Sequence, residues 1–179
     1  MVRYFQEFRT KLCTALSLGC LLCGITLAQS VTTYHLPGIK YSKYHTYRWV
    51  AGQHQHPDPA MDAQIKQSFE TQFAARGLKK TDGTADLSVE YQIAVSQQET
   101  WEVYEDRTQT GLMAQRLPQR RQVIIDEGTL YLDIYDTAAK NLGWEGIASK
   151  TLDPQSSIKD RRKSVDKAAK KLLENFSPK

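Results

Sequence analysis

Cysteine is scarce: the 179-residue chain has three, at positions 13, 20 and 23, all inside one apolar run near the N-terminus. Beyond that run there is none. Disulfides, thiol nucleophiles, CxxC redox chemistry and thiolate zinc sites are therefore excluded from residues 29–179. Proline (6) and glycine (10) are sparse while 40% of residues are hydrophobic, which argues against wholesale disorder. The catalytic signatures GxSxG and HExxH are missing, and there is no glycine-rich phosphate loop. No enzymatic activity and no cofactor are expected. No internal repeat is present. The length suits one domain with a real core and is too short for two large ones.

What is present begins at the N-terminus. Arg3, Arg9 and Lys11 precede an uncharged stretch, Leu12 to Leu27, which ends in Thr26-Leu27-Ala28 before polar Gln29. A basic start, a short apolar middle and a small-x-small end are the parts of a secretory signal peptide, with cleavage after Ala28. The stretch is shorter than the roughly 20 residues that span a bilayer, which disfavours a retained anchor. Cys20 after Ser17-Leu18-Gly19 is a poor lipobox; an outer-membrane lipoprotein anchored there is the alternative to a periplasmic or secreted chain. Charge is uneven. Residues 158–179 hold eight basic and three acidic residues, whereas residues 29–157 carry a net charge of −3.

After a short lead (29–42), residues 43–50 (KYHTYRWV) read as a first strand with Tyr47 and Trp49 on one face. Asp58 is an N-cap with Pro59 at the first helical position. Met61, Ile65, Phe69 and Phe73 form the apolar stripe of the helix that follows, and Gly77 caps its end. In 85–96, Leu87, Val89, Tyr91, Ile93 and Val95 face one way and polar residues the other, the pattern of a half-buried strand. Val123 to Asp136 alternates too, and Thr137–Lys140 turns the chain into a last strand over 141–149. Ile158, Val165, Ala169, Leu172, Leu173 and Phe176 mark a final helix. The order β-α-β-β-β-α predicts an α+β two-layer sandwich over 43–177. Its sheet has about four strands, is largely antiparallel and carries two helices on one face. The other sheet face stays bare. Residues 97–122 keep no period and are read as an extended hairpin or a long loop.

SKYHTYRW, DAQIKQSFETQFAARGLKK, ADLSVEYQ, GTLYLDIYDTAAKNLGWEGIASKTL and VDKAAKKLLENFSPK, in that order over about 40–177, resemble the domain of unknown function 4136 family of exported bacterial envelope proteins, many of them lipoproteins. The GTLYLDIYD…LGWEGIAS block carries most of the likeness. The resemblance implies fold and compartment; the family brings no assigned activity and no catalytic residues.

His54-x-His56, with Asp58 beyond, is the one metal-like cluster, since alternate residues of an extended segment lie on one side. It has no second half, and the segment reads first as a solvated polar loop before the proline-capped helix. Asp126 and Glu127 are consecutive on a strand, point to opposite faces and cannot act as a carboxylate pair. Asp133, with Tyr131 and Tyr135, belongs on the bare sheet face. Trp101 and Tyr104, in the irregular stretch, are the aromatics best suited to anchor a partner. The final helix carries Lys159, Arg161, Arg162, Lys163, Lys167, Lys170 and Lys171 outside its stripe. Arg116, Arg120 and Arg121 add a smaller group. Such a face suits solvent or an anionic membrane surface. Export removes nucleic acid as a partner. The expectation is a non-catalytic binding or assembly module that contacts an envelope protein through 97–122 and the bare sheet face. A small-ligand or metal-binding protein, or a membrane-surface binder through the basic helix, are the alternatives.

Overall fold

The computed structural model describes residues 29–51, 58–105 and 118–178. Among these residues nine elements follow one another: β1 (Ser30–His35), a 3-10 turn (Tyr41–Lys43), β2 (Thr46–Trp49), α1 (Pro59–Ala75), β3 (Lys79–Lys80), β4 (Leu87–Glu105), β5 (Pro118–Asp136), β6 (Asn141–Thr151) and α2 (Ile158–Leu172). The α+β class and the two helices agree with the sequence reading. The sheet differs from it. It has six strands in the order β1-β6-β5-β4-β2-β3, and it is mixed: β2 runs parallel to both β4 and β3. The parallel pairs have a simple cause. A strand, a helix packed on one sheet face and a second strand make a crossover, which returns the chain in the same direction.

Two of the strands escaped the sequence reading. β1 falls in the stretch read as a lead, and only Val31, Thr33 and His35 face inward. It zips antiparallel onto β6, Ser30 opposite Ser149 and His35 opposite Trp144. β3 is two residues long and owes its place to the end of α1, not to any periodicity.

The helix ends follow the expected chemistry. The Asp58 carboxylate accepts from the N–H groups of Ala60 and Met61 (3.0 and 3.1 Å), satisfying two donors that a helix start leaves open. Gly77 takes a left-handed φ of 83°, which a Cβ would strain, and releases the chain from α1. Ser157 caps α2 through Asp160 N–H. Ile158 corrects the sequence stripe: it stands exposed in the first turn of α2, while Leu173 and Phe176, past the last turn, are fully buried.

The core lies between the helices and one sheet face. Ile65, Phe69 and Phe73 from α1 and Ala168, Ala169 and Leu172 from α2 meet Leu87, Val89, Tyr91, Leu132, Ile134 and Trp144. Aromatic rings fill the end nearest the β5–β6 turn. Phe73 sits 4.6 Å from Tyr47, and Trp144 5.5 Å from Phe176. Gly146 lets α2 sit down on β6: a Cβ there would lie 2.8 Å from Leu172 Cδ2, and Leu172 has nowhere to go. Ser68, buried on α1, donates to Gln64 O and pairs with Asp166 of α2 at 2.6 Å, joining the helices.

Candidate functional site

The irregular stretch is mostly strand. β4 and β5 stay in antiparallel register out to Glu105 opposite Pro118, long after β6 has ended at Thr151 opposite Glu127 and β2 at Trp49 opposite Val89. From Gln97 opposite Asp126 onward, the two strands form a ribbon roughly 30 Å long at 3.3 Å per residue. Of the two sequence readings of 97–122, the extended hairpin is therefore the one seen for 97–105 and 118–122. Residues 106–117, Arg116 included, lie outside the described residues.

Side-chain alternation gives this arm two sides, each mixing apolar and polar residues. On the side that continues the core face stand Val95, Trp101 and Val103 of β4 and Ile124 of β5, between 58% and 66% exposed. No described helix reaches them. Tyr104 is three residues from Trp101 and so points to the opposite side, where the Arg121 guanidinium lies 5.6 Å from its ring centre and pairs with Glu102 at 2.6 Å. Trp101 and Tyr104, the two aromatics named from the sequence, thus stand on opposite sides of the arm. Trp101 instead shares its side with Val103 and Ile124, neither of which that reading singled out.

Tyr131, Asp133 and Tyr135 do lie together on the outer sheet face, which no described element covers. They are far from the arm: about a dozen residues of β4 separate Tyr104 from Gln92, the partner of Tyr131, or roughly 40 Å. The structure thus resolves the proposed contact residues into two separate places. Across the outer face Glu90, Asp133 and Glu145 sit side by side on β4, β5 and β6. Asp133 is half-buried between its two acidic neighbours, and its Oδ1 has no hydrogen-bond partner among the described residues. Desolvation, then Glu145 and Glu90, push its carboxyl up to about 6.

That environment makes a prediction with a definite sign. The folded chain holds this proton more tightly than the unfolded chain, so the ionised form opposes folding. The penalty is absent below about pH 4, grows towards pH 6 and is complete above it. Asp133→Asn should therefore stabilise the protein at pH 7.5 by about 1–2 kcal/mol, after allowance for solvent screening at a half-buried site. Urea midpoints at pH 7.5 and pH 4 check it; a gain that persists at pH 4 would rule out the charge explanation.

The His54 and His56 pair falls outside the described residues. Among the described residues no three metal-ligating side chains converge. The basic residues of α2, Lys159 to Lys171, are exposed, as their positions outside the stripe imply. No described helix is long and apolar enough to cross a membrane.

At the base of the arm lies a feature no motif announced. An apolar groove of about 560 Å³ opens where the inner sheet face passes out from under the helices. Leu130 and Ala148 floor it, Met61 of α1 and Val165 and Ala168 of α2 wall it, and Leu152 leans across it. Its contributors come from five elements and the β6–α2 connection, so no single stretch of sequence carries its pattern. The one hint is a run of small inward residues, Gly128, Ala148 and Ala168, where the rest of the core face uses large ones.

Comparison with known proteins adds the following. The model of the domain of unknown function DUF4136 matches residues 31–178. No curated protein sequence matches the chain. A DUF4136 family protein from Bacteroides thetaiotaomicron has a similar crystal structure, with 9% identity over 84% of this chain and 98% of that one and a TM-score of 0.55. A PDZ domain protein from Parabacteroides distasonis is similar with 10% identity and a TM-score of 0.54. Its match covers 83% of this chain, which spans only 36% of that protein's length. The PelC dodecamer from Paraburkholderia phytofirmans is similar at 11% identity, over 85% of this chain and 99% of that one, with a TM-score of 0.50. These likenesses concern the fold. With the family model covering nearly all the described residues, the chain belongs to the DUF4136 family.

Proposed function

We propose that this chain is a non-catalytic binding or assembly module of the bacterial cell envelope, exported by its N-terminal apolar segment, and that the β4–β5 arm is its contact surface. One observation carries the reading: exposed Trp101, Val103 and Ile124, with Val95 at its base, share one side of a two-stranded ribbon that nothing described packs against, among the polar Gln97, Glu99, Arg120 and Gln122 of that side. An isolated ribbon is marginal in water, and a projecting one with exposed large apolar side chains gains from having them covered. Tryptophan is the residue type that most often dominates binding at such a contact. PelC, whose structure is similar, is a dodecamer, a precedent for assembly on this fold.

The test is crosslinking in cells from a photoreactive residue at position 103, with position 92 on the outer sheet face as the control. A discrete adduct from 103 is expected. Trp101→Ser together with Ile124→Ser should remove it, a loss of at least ~30-fold in capture for a hot-spot contact. Both side chains are solvent-exposed, so the denaturation midpoint should hardly move. An adduct that survives in the well-folded double variant would defeat the proposal.

A further inference from the structure

The outer sheet face and the solvent side of α2 look in opposite directions, and their charges are opposite too. We propose that the acidic row on the sheet face receives the lysine crest of α2 from a second copy, so that chains associate head to tail.

The acidic side is a product of strand register. Glu90, Asp133 and Glu145 are cross-strand neighbours on β4, β5 and β6, a row roughly 10 Å across at the usual strand spacing. Glu127 lies on the same face, farther along β5. Gln92 donates to Glu90 at 3.1 Å, and among the described residues no cation pairs with any of the three. The cations of this face, Arg48 on β2 and Lys79 on β3, stand beyond β4 towards its far edge. Like charges opposite one another on neighbouring strands repel, so the row gains from cations supplied from outside. Tyrosines surround it. Tyr131 and Tyr135 flank Asp133 along β5, and Tyr34, 54% exposed, is the neighbour of Glu145 on β1. Carboxylates hold an ammonium while aromatic rings pack its methylene stem, so this surface suits lysine. Among the described residues no three ligands converge as a metal ion would need.

The basic side follows from helical spacing. Lys159, Lys163, Lys167 and Lys170 recur at intervals of four, four and three residues. They line the crest of α2, turned away from Val165, Ala168, Ala169 and Leu172, which pack in the core, and all four are exposed. Of the two acids within α2, Asp166 is bonded to Ser68 of α1, and Asp160 lies 3.8 Å from Lys163. The crest is roughly 17 Å long, and the neighbouring strands β4, β5, β6 and β1 span roughly 14 Å from first axis to last. A helix laid across the strands therefore sets successive lysines over successive acids. Because the contact joins opposite faces of one chain, it cannot be two-fold; copies follow one another and close as a ring or continue as a filament. Neither side of the arm takes part, so this association is independent of the arm's partner.

Sedimentation velocity of the purified protein tests this. The wild type is expected to associate as concentration rises in about 50 mM salt, and at least ~tenfold more weakly in about 500 mM. Glu90→Gln with Glu145→Gln on the sheet face should weaken association at least ~tenfold, and so should Lys163→Gln with Lys167→Gln on the helix. None of the four side chains belongs to the core, so circular dichroism should report folded variants. Where each variant alone is monomeric, mixing the two should give a 1:1 complex and nothing larger, because each keeps the face the other lacks. In cells, a photoreactive residue at position 92 should capture a second copy, an adduct of twice the chain's mass. A wild type that stays monomeric at low salt, even one that binds anionic vesicles, would overturn the proposal. Association that survives either pair of substitutions, or a mixture of the variants that stays monomeric, would do the same. None of these results alters what position 103 captures.

Discussion

Replacing Asp136 with alanine is expected to destabilise the protein by about 3 kcal/mol, a fall in melting temperature of roughly 6–12 °C for a domain of this size. Asp136 ends β5 and is nearly buried. Its Oδ1 accepts the N–H groups of Ala138 and Ala139, both at 3.0 Å, and so shapes the turn into β6. Its Oδ2 accepts the Tyr44 hydroxyl at 2.6 Å and the Lys43 ammonium at 3.1 Å, tying the 3-10 segment to that turn. Alanine would leave the buried Tyr44 hydroxyl without its acceptor and two turn N–H groups uncapped. The orphaned hydroxyl is the larger part of the loss. Lys43→Met should cost far less than Asp136→Ala, because the lysine is well exposed and its ion pair is screened.

The pH dependence runs opposite to that of Asp133. The Tyr44 hydroxyl, the Ala139 N–H and Lys43 together hold the Asp136 carboxyl far below the usual carboxylate range. A group whose folded pKa is depressed contributes stability that is present above its unfolded pKa, near 3.8, and is lost as pH falls through the folded value. The gap between wild type and Asp136→Ala should therefore be full at pH 6 and shrink below about pH 4. The Asp133→Asn gain should fall between about pH 6 and pH 4 and be gone before the Asp136 gap begins to shrink. Two aspartates three residues apart on one strand thus move stability in opposite directions, since one is fed by donors and the other faces carboxylates. Denaturant midpoints from pH 3 to pH 8 on both variants measure it. A gap for Asp136→Ala that grows on acidification would contradict the geometry.

Trp144→Ala is expected to lower stability by a further class of effect, about 3–5 kcal/mol, enough to unfold a large fraction of a marginal domain. Trp144 on β6 is almost wholly buried. Its ring lies 5.5 Å from Phe176, 6.1 Å from Tyr41 and 5.9 Å from His35 on β1, and its Nε1 donates to Leu172 O at 3.2 Å. One side chain therefore holds together the edge strand, the 3-10 segment and the end of α2. Truncation opens a cavity that three different segments line, and segments of different chain position cannot close in together. Trp144→Phe keeps the ring contacts and gives up the Leu172 bond, so about 1–2 kcal/mol is expected. Urea denaturation followed by far-ultraviolet circular dichroism distinguishes the two; equal effects would show that the hydrogen bond, not the packing, dominates.

Legibility varied with the range of the interactions involved. The cap at Asp58-Pro59, the stripe Ile65, Phe69 and Phe73, and the stop at Gly77 are local events, and each is where the sequence placed it. The alternation of Leu87, Val89 and Tyr91 likewise marks the buried side of β4. Val95 and Trp101 show where that rule stops. They keep the same phase, yet they are exposed, because the helices end before the strand does. Periodicity reports which side a residue faces and is blind to how far the covering layer extends. The separation of Trp101 from Tyr104 follows from the same alternation once the stretch is known to be strand.

From its sequence alone, this protein's class, its two helices, its principal strands and its family likeness were determined, because helix caps, turn residues and apolar periods act within a few residues. Only the tertiary structure decided the rest. It made β1 an edge partner of β6, set β2 parallel between β3 and β4, and extended β4 and β5 into an arm. It also left an open groove where small residues from distant segments meet. Strand order and empty space depend on contacts between residues far apart in the chain, which no local pattern encodes.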